Sequence, residues 1–456
     1  MPQFVSTFSA IFWGVLVLSI LITAHEAGHY FAARLCKSRV TEFFIGMPSR
    51  HKWSWRSKKH GTEFGVTPIL LGGYTRICGM TPLNQANYAS ALELVQTHGS
   101  ISVQDAAEQL GCSEEDAYSI FETLVDWASI EPEYSCKEGE KPDTRTIPYA
   151  YKTTLRDAAL NTKFDDSFDE TTQLMQPGTM QPLQVSAEDF LNQEQSNIYL
   201  GKTFWARFCM IFAGPVASFV TGALLMVLSL SVIGQDMPVN VPKIGTVVEG
   251  SLAQRSGLQA GDTLVAVDNQ KVDSFAGFAV LIKDKFDKHE SFELTYQREG
   301  SSQSVQITPA QNEKALGVHA PMKHVHLSVS EAVGVTWNFT TQIAQVAVKL
   351  IIPTQTLNVV SQSSSVVGIS VMASQAASSG LGELLLFAAQ ISLSLAFMNL
   401  LPIPPLDGGR ILIEIIQGII RKPISERTQA YISFVGIALF GCLFLLSLKN
   451  DILRFL

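Results

Sequence analysis

Four stretches of the chain stay apolar for longer than a folded core requires: Thr7 to Ala24, Phe208 to Ile233, Leu384 to Ile403 and Gln429 to Leu448. Helices of that length cross a hydrocarbon layer of roughly 30 Å. The pattern predicts a multi-pass α-helical membrane protein with four transmembrane helices, placed in segments 1–33, 201–234, 381–407 and 428–456. Between them polarity returns in blocks. Residues 243–309 alternate like strands around two short helical stretches, and Glu63 to Tyr74 alternates and turns like a β-hairpin within segment 34–83. Ile343, Val346, Ala347, Leu350 and Ile351 share one helical face, as in a helix lying on a membrane surface. Pro353 to Gly380 carries no charge and reads as a flexible gate or linker that closes segment 313–380.

Composition agrees with a membrane protein: 46% of the 456 residues are hydrophobic and the mean hydropathy is +0.19. A cleaved signal peptide is the competing reading of the first run. It is disfavoured because no Lys or Arg precedes the run and no small-residue cleavage pattern closes it. Arg34, Lys37, Arg39, Arg50, Lys52, Arg56, Lys58 and Lys59 follow the first span against the lone Glu42, and Arg410, Arg421, Lys422 and Arg427 populate the loop 408–427. Lys and Arg collect on the cytoplasmic side, so both segments are expected there, with residues 31–204 inside and 234–383 outside. The net charge of −8 gives no sign of nucleic-acid binding. Cys36, Cys78, Cys112, Cys136, Cys209 and Cys442 follow no disulfide or zinc spacing and read as reduced thiols.

The first span runs into His25-Glu26-Ala27-Gly28-His29. Positions i and i+4 share a helical face, so both imidazoles can reach one metal ion with Glu26 beside them. Anchoring at the lipid headgroups is the competing reading, but it leaves a glutamate between the histidines without a purpose. A third ligand does not come from nearby: position 35 is Leu, and no Glu lies between Glu42 and Glu63. One other stretch sets polar groups against a long apolar segment, Asn399-Leu-Leu-Pro402-Ile-Pro404-Pro405-Leu406-Asp407-Gly408-Gly409. Its prolines end a helix, and the freed backbone needs protein or water to cover it at membrane depth. Asp407 is therefore a candidate third ligand, with the glycine pair expected to turn the chain behind it; a plain helix stop with a cap is the alternative.

Together the two motifs resemble the site-2 protease family of intramembrane zinc metalloproteases, in particular its RseP-like bacterial branch. The resemblance implies that His25, His29 and Asp407 bind Zn²⁺, that Glu26 is the catalytic base, and that Asn399 contacts the substrate or the developing oxyanion. Its counterpart for Glu63 to Tyr74 is a membrane-associated β-hairpin loop near the active site, whose strand edge can hold an unwound substrate. Gly72, Gly73, Asn399 and Pro402 are the candidate substrate-binding residues. Gly214-Pro215 also matches, whereas Ser218 stands where the family usually has Asn.

Gly257 to Leu264 resembles the signature of a PDZ domain, which implies one extracytoplasmic α+β PDZ domain over 241–312, acting as a substrate filter or as passive structure. The cytoplasmic insertion 84–200 is far longer than the motifs need. Within it Ser102-Val-Gln-Asp105 and Ser113-Glu-Glu-Asp116 read as helix starts around a Gly111-Cys112 turn, which suggests a winged-helix-like module at about 86–133. Its second helix would carry Glu114, Glu115, Asp116, Glu122 and Asp126, which repel phosphate, so a cytoplasmic protein partner is expected rather than DNA. The resemblance implies a zinc endopeptidase of the bacterial cytoplasmic membrane that cuts single-span substrates, such as anti-sigma factors first shortened by another protease. A catalytically idle PDZ scaffold and a metal transporter are the alternatives. The first has no use for Glu26 or Asp407, and the second calls for a path of polar groups, not a cluster at one depth.

Overall fold

The computed structural model describes residues 2–70, 72–81, 87–134, 146–310, 313–420 and 424–455. Among these residues four helices are long and apolar enough to cross a membrane: Thr7–Leu35, Phe204–Ile233, Leu381–Asn399 and Arg427–Leu453. The chain falls into two compact units, residues 1–226 with 334–456, and residues 227–333.

In the first unit, α1 (Pro2–Leu35) carries the histidine motif on unbroken helix and ends where Lys37 takes a positive φ. Next come β1 (Val40–Ile45), β2 (Trp53–Arg56), β3 (Glu63–Val66) and β4 (Gly73–Ile77), in the sheet order β2-β3-β1-β4. The expected hairpin over Glu63 to Tyr74 is therefore corrected. β3 and β4 do not pair; β1 lies between them, parallel to β3 and antiparallel to β4. The connection wraps the end of β1 instead of folding back on itself. Thr67 N donates to Ile45 O (2.9 Å), Met47 N to Ile69 O (2.8 Å) and Gly46 N to Gly72 O (2.8 Å). Leu71 lies outside the described residues. β4 is left as a sheet edge.

The insertion contains α2 (Tyr88–His98), β5 (Ser100–Ser102), α3 (Val103–Leu110), α4 (Glu114–Asp126), β6 (Ile130–Glu133), β7 (Ala150–Thr153) and α5 (Ala187–Ser196). Ser102 and Ser113 cap α3 and α4 by accepting from Asp105 N and Asp116 N, and Gly111 closes α3 at φ 65°. The strands form an antiparallel sheet in the order β5-β7-β6, over a core that includes Leu92, Phe121, Leu124, Trp127 and Phe190. Buried ion pairs tie this domain to the chain just before β1. Arg39 Nε lies 2.7 Å from Asp165 Oδ1 and its Nη1 2.7 Å from Glu194 Oε2, while Arg156 Nη1 lies 2.8 Å from Glu194 Oε1. Burial alone would raise the Glu194 pKa, but the two guanidinium groups hold it far below the usual carboxylate range. Cys36, Cys78, Cys112, Cys209 and Cys442 are free thiols, and burial pushes Cys78 up to about 12; Cys136 lies outside the described residues.

A 3-10 turn at Tyr199–Gly201 leads into α6 (Phe204–Val227), which contains Pro215 and continues as a π-helical segment through Ile233. The second unit then carries β8 (Gln235–Pro238), β9 (Thr246–Val247), α7 (Leu252–Arg255), β10 (Thr263–Val267), β11 (Gln270–Lys271), α8 (Phe275–Lys288), β12 (Phe292–Arg298), β13 (Ser301–Ile307), β14 (Val318–His319) and β15 (Met322–Val325). Its main sheet has the order β11-β10-β12-β13, and its core includes Leu264, Phe278, Phe292, Leu294 and Ile307.

The chain continues through α9 (Val329–Ile351), α10 (Pro353–Gln362), α11 (Val366–Ser379), α12 (Leu381–Asn399), α13 (Asp407–Ile420) and α14 (Glu426–Phe455). Two further expectations are corrected here. Residues 353–380 are two helices, not a flexible loop: Pro353 starts α10 at a position where a missing N–H costs nothing, and α11 lies along α1. A Cβ on Gly14 would meet Ser370, and the Ser9 and Ser374 hydroxyls are 2.8 Å apart. Residues 408–427 are mostly helix as well. Gly408 and Gly409 do not turn the chain back; they form the first turn of α13, pressed onto the proline loop. A Cβ on Gly408 would sit 2.3 Å from Leu400 O, and one on Gly409 2.4 Å from Pro404 N.

Candidate metal centre

α1 buries His25 and His29 one turn apart. Each ring is held through its Nδ1. His29 Nδ1 donates to the carbonyl oxygen of Met210 (2.9 Å), and His25 Nδ1 is 2.9 Å from the hydroxyl of Ser218. Ser218 is fixed in turn, since Ser392 of α12 donates to its carbonyl oxygen at 2.7 Å. A carbonyl only accepts, so the proton of neutral His29 sits on Nδ1 and its Nε2 presents a lone pair.

Both Nε2 atoms converge on Asp407, the first residue of α13. Asp407 Oδ2 is 3.0 Å from His25 Nε2 and 3.3 Å from His29 Nε2, and the two nitrogens are 3.3 Å apart. A tetrahedral ion with bonds of about 2.0–2.1 Å separates its ligand atoms by about 3.3 Å. Asp407 Oδ2 is buried without a hydrogen-bond partner, so the pocket turns lone pairs toward one another, and a cation at their centre would satisfy all three. Among the described residues, this is the one group of three or more His, Cys, Asp or Glu side chains spaced to hold a metal ion. Three protein ligands leave a fourth position for water, the arrangement of a hydrolytic site.

Close packing makes room for the rings. A Cβ on Gly214 would lie 2.2 Å from His29 Nε2 and 2.9 Å from His25 Cε1, and one on Gly28 would lie 2.3 Å from Ala213 O. Glycine is needed at both positions for α1 and α6 to approach this closely.

Of the other expected site residues, Asn399 ends α12 with its Nδ2 3.4 Å from His25 Nε2. Glu26 is half-buried beside the start of β4: a Cβ on Gly73 would lie 3.3 Å from Glu26 Cγ, and Thr75 Oγ1 donates to the Glu26 carbonyl at 3.1 Å. Gly72 spends its carbonyl on Gly46, and Pro402 is exposed in the loop between α12 and α13, so neither joins the convergent groups. Sequence reasoning missed the Met210 carbonyl and Thr75, and gave Ser218 no role because it departs from the family's Asn. Spacing carried a signal for Ser218, four residues after Gly214 and so on the same face of α6.

The signature of Peptidase family M50 matches residues 13–443, a range that holds all three candidate ligands. Nearly the whole chain is also similar to the regulator of sigma-W protease RasP of Bacillus subtilis, 26% identical over 96% of this chain and 97% of that protein. Zinc metalloprotease RasP of Geobacillus kaustophilus is 26% identical over 99% of each chain, and the probable protease eep of Enterococcus faecalis 26% identical over 97% and 98%. On these grounds the chain belongs to Peptidase family M50.

Proposed function

We propose that the chain is a zinc endopeptidase that hydrolyses peptide bonds within transmembrane segments of single-span membrane proteins. The observation that carries this reading is the convergence of His25 and His29, on a helix long and apolar enough to cross a membrane, with Asp407, which follows a second such helix by a short proline loop. Zinc, when held by these three residues, acidifies a water and polarises a carbonyl. Glu26 takes the proton from the attacking water and delivers it to the amide nitrogen as the C–N bond breaks, leaving a carboxylate and an amine. Asn399 donates from Nδ2 to the carbonyl oxygen as charge develops there. Ser218 and the Met210 carbonyl hold the imidazoles in orientation. A helical substrate has to unwind before its carbonyls can react, and the free edge of β4, beginning beside Glu26, suits the released backbone as an added strand.

The basic loops favour a catalytic centre near the cytoplasmic face of a bacterial inner membrane, with the second unit outside. The small sheet and two helices of that unit, arranged around the Gly257 to Leu264 run, support a PDZ domain that filters substrates. The order helix–strand–helix–helix–strand–strand across α2 to β7 supports a winged-helix module, and the acidic α4 favours a protein partner for it. A relative named for sigma-W regulation supports a membrane regulator, such as an anti-sigma factor, as substrate.

The test is cleavage of a shortened single-span reporter by purified protein in detergent, with bound zinc measured alongside. Wild type is expected to cut within the span, whereas Glu26→Gln retains zinc and does not cut, and chelated enzyme is inactive. Zinc-loaded wild type that binds the reporter without cutting it would overturn the reading in favour of a scaffold.

A further inference from the structure

A cavity of about 420 Å³ lies against α13 and the proline loop, lined by Met80, Tyr199, Pro404, Arg410, Glu414, Gln417 and Gln429 among others. Two paths join it to the metal centre. Along α13, Arg410 follows Asp407 by three residues, about one helical turn. Along the sheet, the free edge of β4 runs from Gly73, beside Glu26, to Ile77. Just beyond, Tyr199 N and Leu200 N take the carbonyls of Cys78 and Gly79 at 2.9 and 3.3 Å, so the free edge ends at the cavity wall.

The charges in this cavity are unequal. Glu414 is 6% exposed, and its carboxylate is already engaged: the Tyr199 hydroxyl donates to Oε1 at 2.9 Å and Arg207 Nη2 lies 3.3 Å from Oε2. Arg410 is exposed and forms no ion pair among the described residues; Nη1 instead meets the sulfur of Met80 at 3.7 Å. What remains available is a guanidinium with the side-chain amide of Gln417 nearby in the same cavity, whereas Gln429 Nε2 already donates to Ile424 O at 3.0 Å. A guanidinium fork matches a carboxylate in two parallel hydrogen bonds.

We propose that this cavity is a substrate subsite that takes a carboxylate side chain, Asp or Glu, from the juxtamembrane flank of the substrate. The proposal rests on the endopeptidase reading above. A strand laid along β4 rises about 3.3 Å per residue, which places the recognised residue roughly five to eight positions from the scissile bond. Membrane proteins concentrate Lys and Arg where their spans enter the cytoplasm. An unpaired arginine on the path of that flank repels most of them, so the subsite selects by rejection as well as by attraction.

The test compares kcat/KM for two reporters with the same span and either Glu or Lys at those flank positions. Wild type is expected to prefer the Glu reporter about tenfold, the scale of one charge-assisted hydrogen bond. Arg410→Glu inverts the preference, and Gln417→Glu, which adds charge to the cavity and leaves Arg410 in place, weakens it. A ratio is read in every case, so a general loss of activity in a variant does not imitate the effect, and zinc content reports folding. Equal cleavage of both reporters by wild type, or a preference that survives Arg410→Glu, overturns the subsite alone and leaves lipid headgroups as the cavity's occupant. Cleavage of neither reporter by zinc-loaded wild type overturns the endopeptidase reading and the subsite with it.

Discussion

His29 donates a hydrogen bond from its Nδ1–H to the carbonyl oxygen of Met210, 2.9 Å away on α6. That one bond fixes the tautomer, turns Nε2 toward Asp407, and makes α6 part of the metal centre although it supplies no ligand. Ser218 performs the equivalent task for His25 with a side chain, which makes it open to substitution.

Ser218→Ala removes the hydroxyl and leaves His25 Nδ1 without its partner. Zinc affinity is expected to fall about 10- to 100-fold, the usual consequence of losing such a partner, with activity restored by added zinc. Competition against a chelator of known affinity checks this, and an unchanged zinc affinity would show that the hydroxyl does not orient the ring.

Glu194 is fully buried between Arg39 and Arg156. Glu194→Gln leaves both guanidinium groups short of charge, at an expected cost of about 3–5 kcal/mol to the insertion domain. Limited proteolysis and thermal unfolding measure the loss. The pH dependence follows from the depressed folded-state pKa of Glu194. Its stabilisation is complete above the ordinary value of 4.5 and is lost progressively as pH falls below that toward the folded-state pKa. The wild-type domain is therefore expected to hold its stability from neutrality to about pH 5 and to weaken below it, and Glu194→Gln to lack that part of the acid transition.

How much of this was readable in the sequence depended on the range of the interactions. His25, Glu26 and His29 were legible because an i, i+4 pair on an apolar helix is a local pattern, and Asp407 because prolines announced a broken helix at membrane depth. The insertion of β1 between β3 and β4 was not, since parallel pairing of β1 with β3 leaves no turn signal in either strand. The helicity of 353–380 was also hidden. Its uncharged, Ser-rich sequence resembles a linker, and what orders α11 is the face of α1 at Gly14 together with a cap from the far end of the chain. Met210 acts through its backbone, so its side chain carried no clue.

That distant cap is Asp451 of α14, 1% exposed, whose Oδ2 accepts from Ser365 N at 2.6 Å and Gly368 N at 3.1 Å. A carboxylate at a helix N-terminus satisfies orphan donors and faces the positive end of the helix dipole. Asp451→Ala is expected to cost about 1–2 kcal/mol locally and to fray the first turn of α11. Faster amide exchange confined to residues 365–370 and the adjoining face of α1 is the expected readout; protection equal to wild type there would remove the cap from the account.

Gly73 separates holding the metal from using it. Its Cα faces Glu26, and an added Cβ would lie 3.3 Å from Glu26 Cγ and 3.1 Å from Phe44 O, while none of the metal-binding atoms is among its close neighbours. A side chain here crowds Glu26, the proposed base, at the start of the free β4 edge. Gly73→Val is expected to bind zinc as wild type does and to cut a single-span reporter at least about tenfold more slowly, with Gly73→Ala between the two. The decisive comparison is zinc content against kcat in the same preparations. Loss of both together would mean that β4 supports the metal centre itself; loss of kcat alone puts the substrate strand and Glu26 at the same edge.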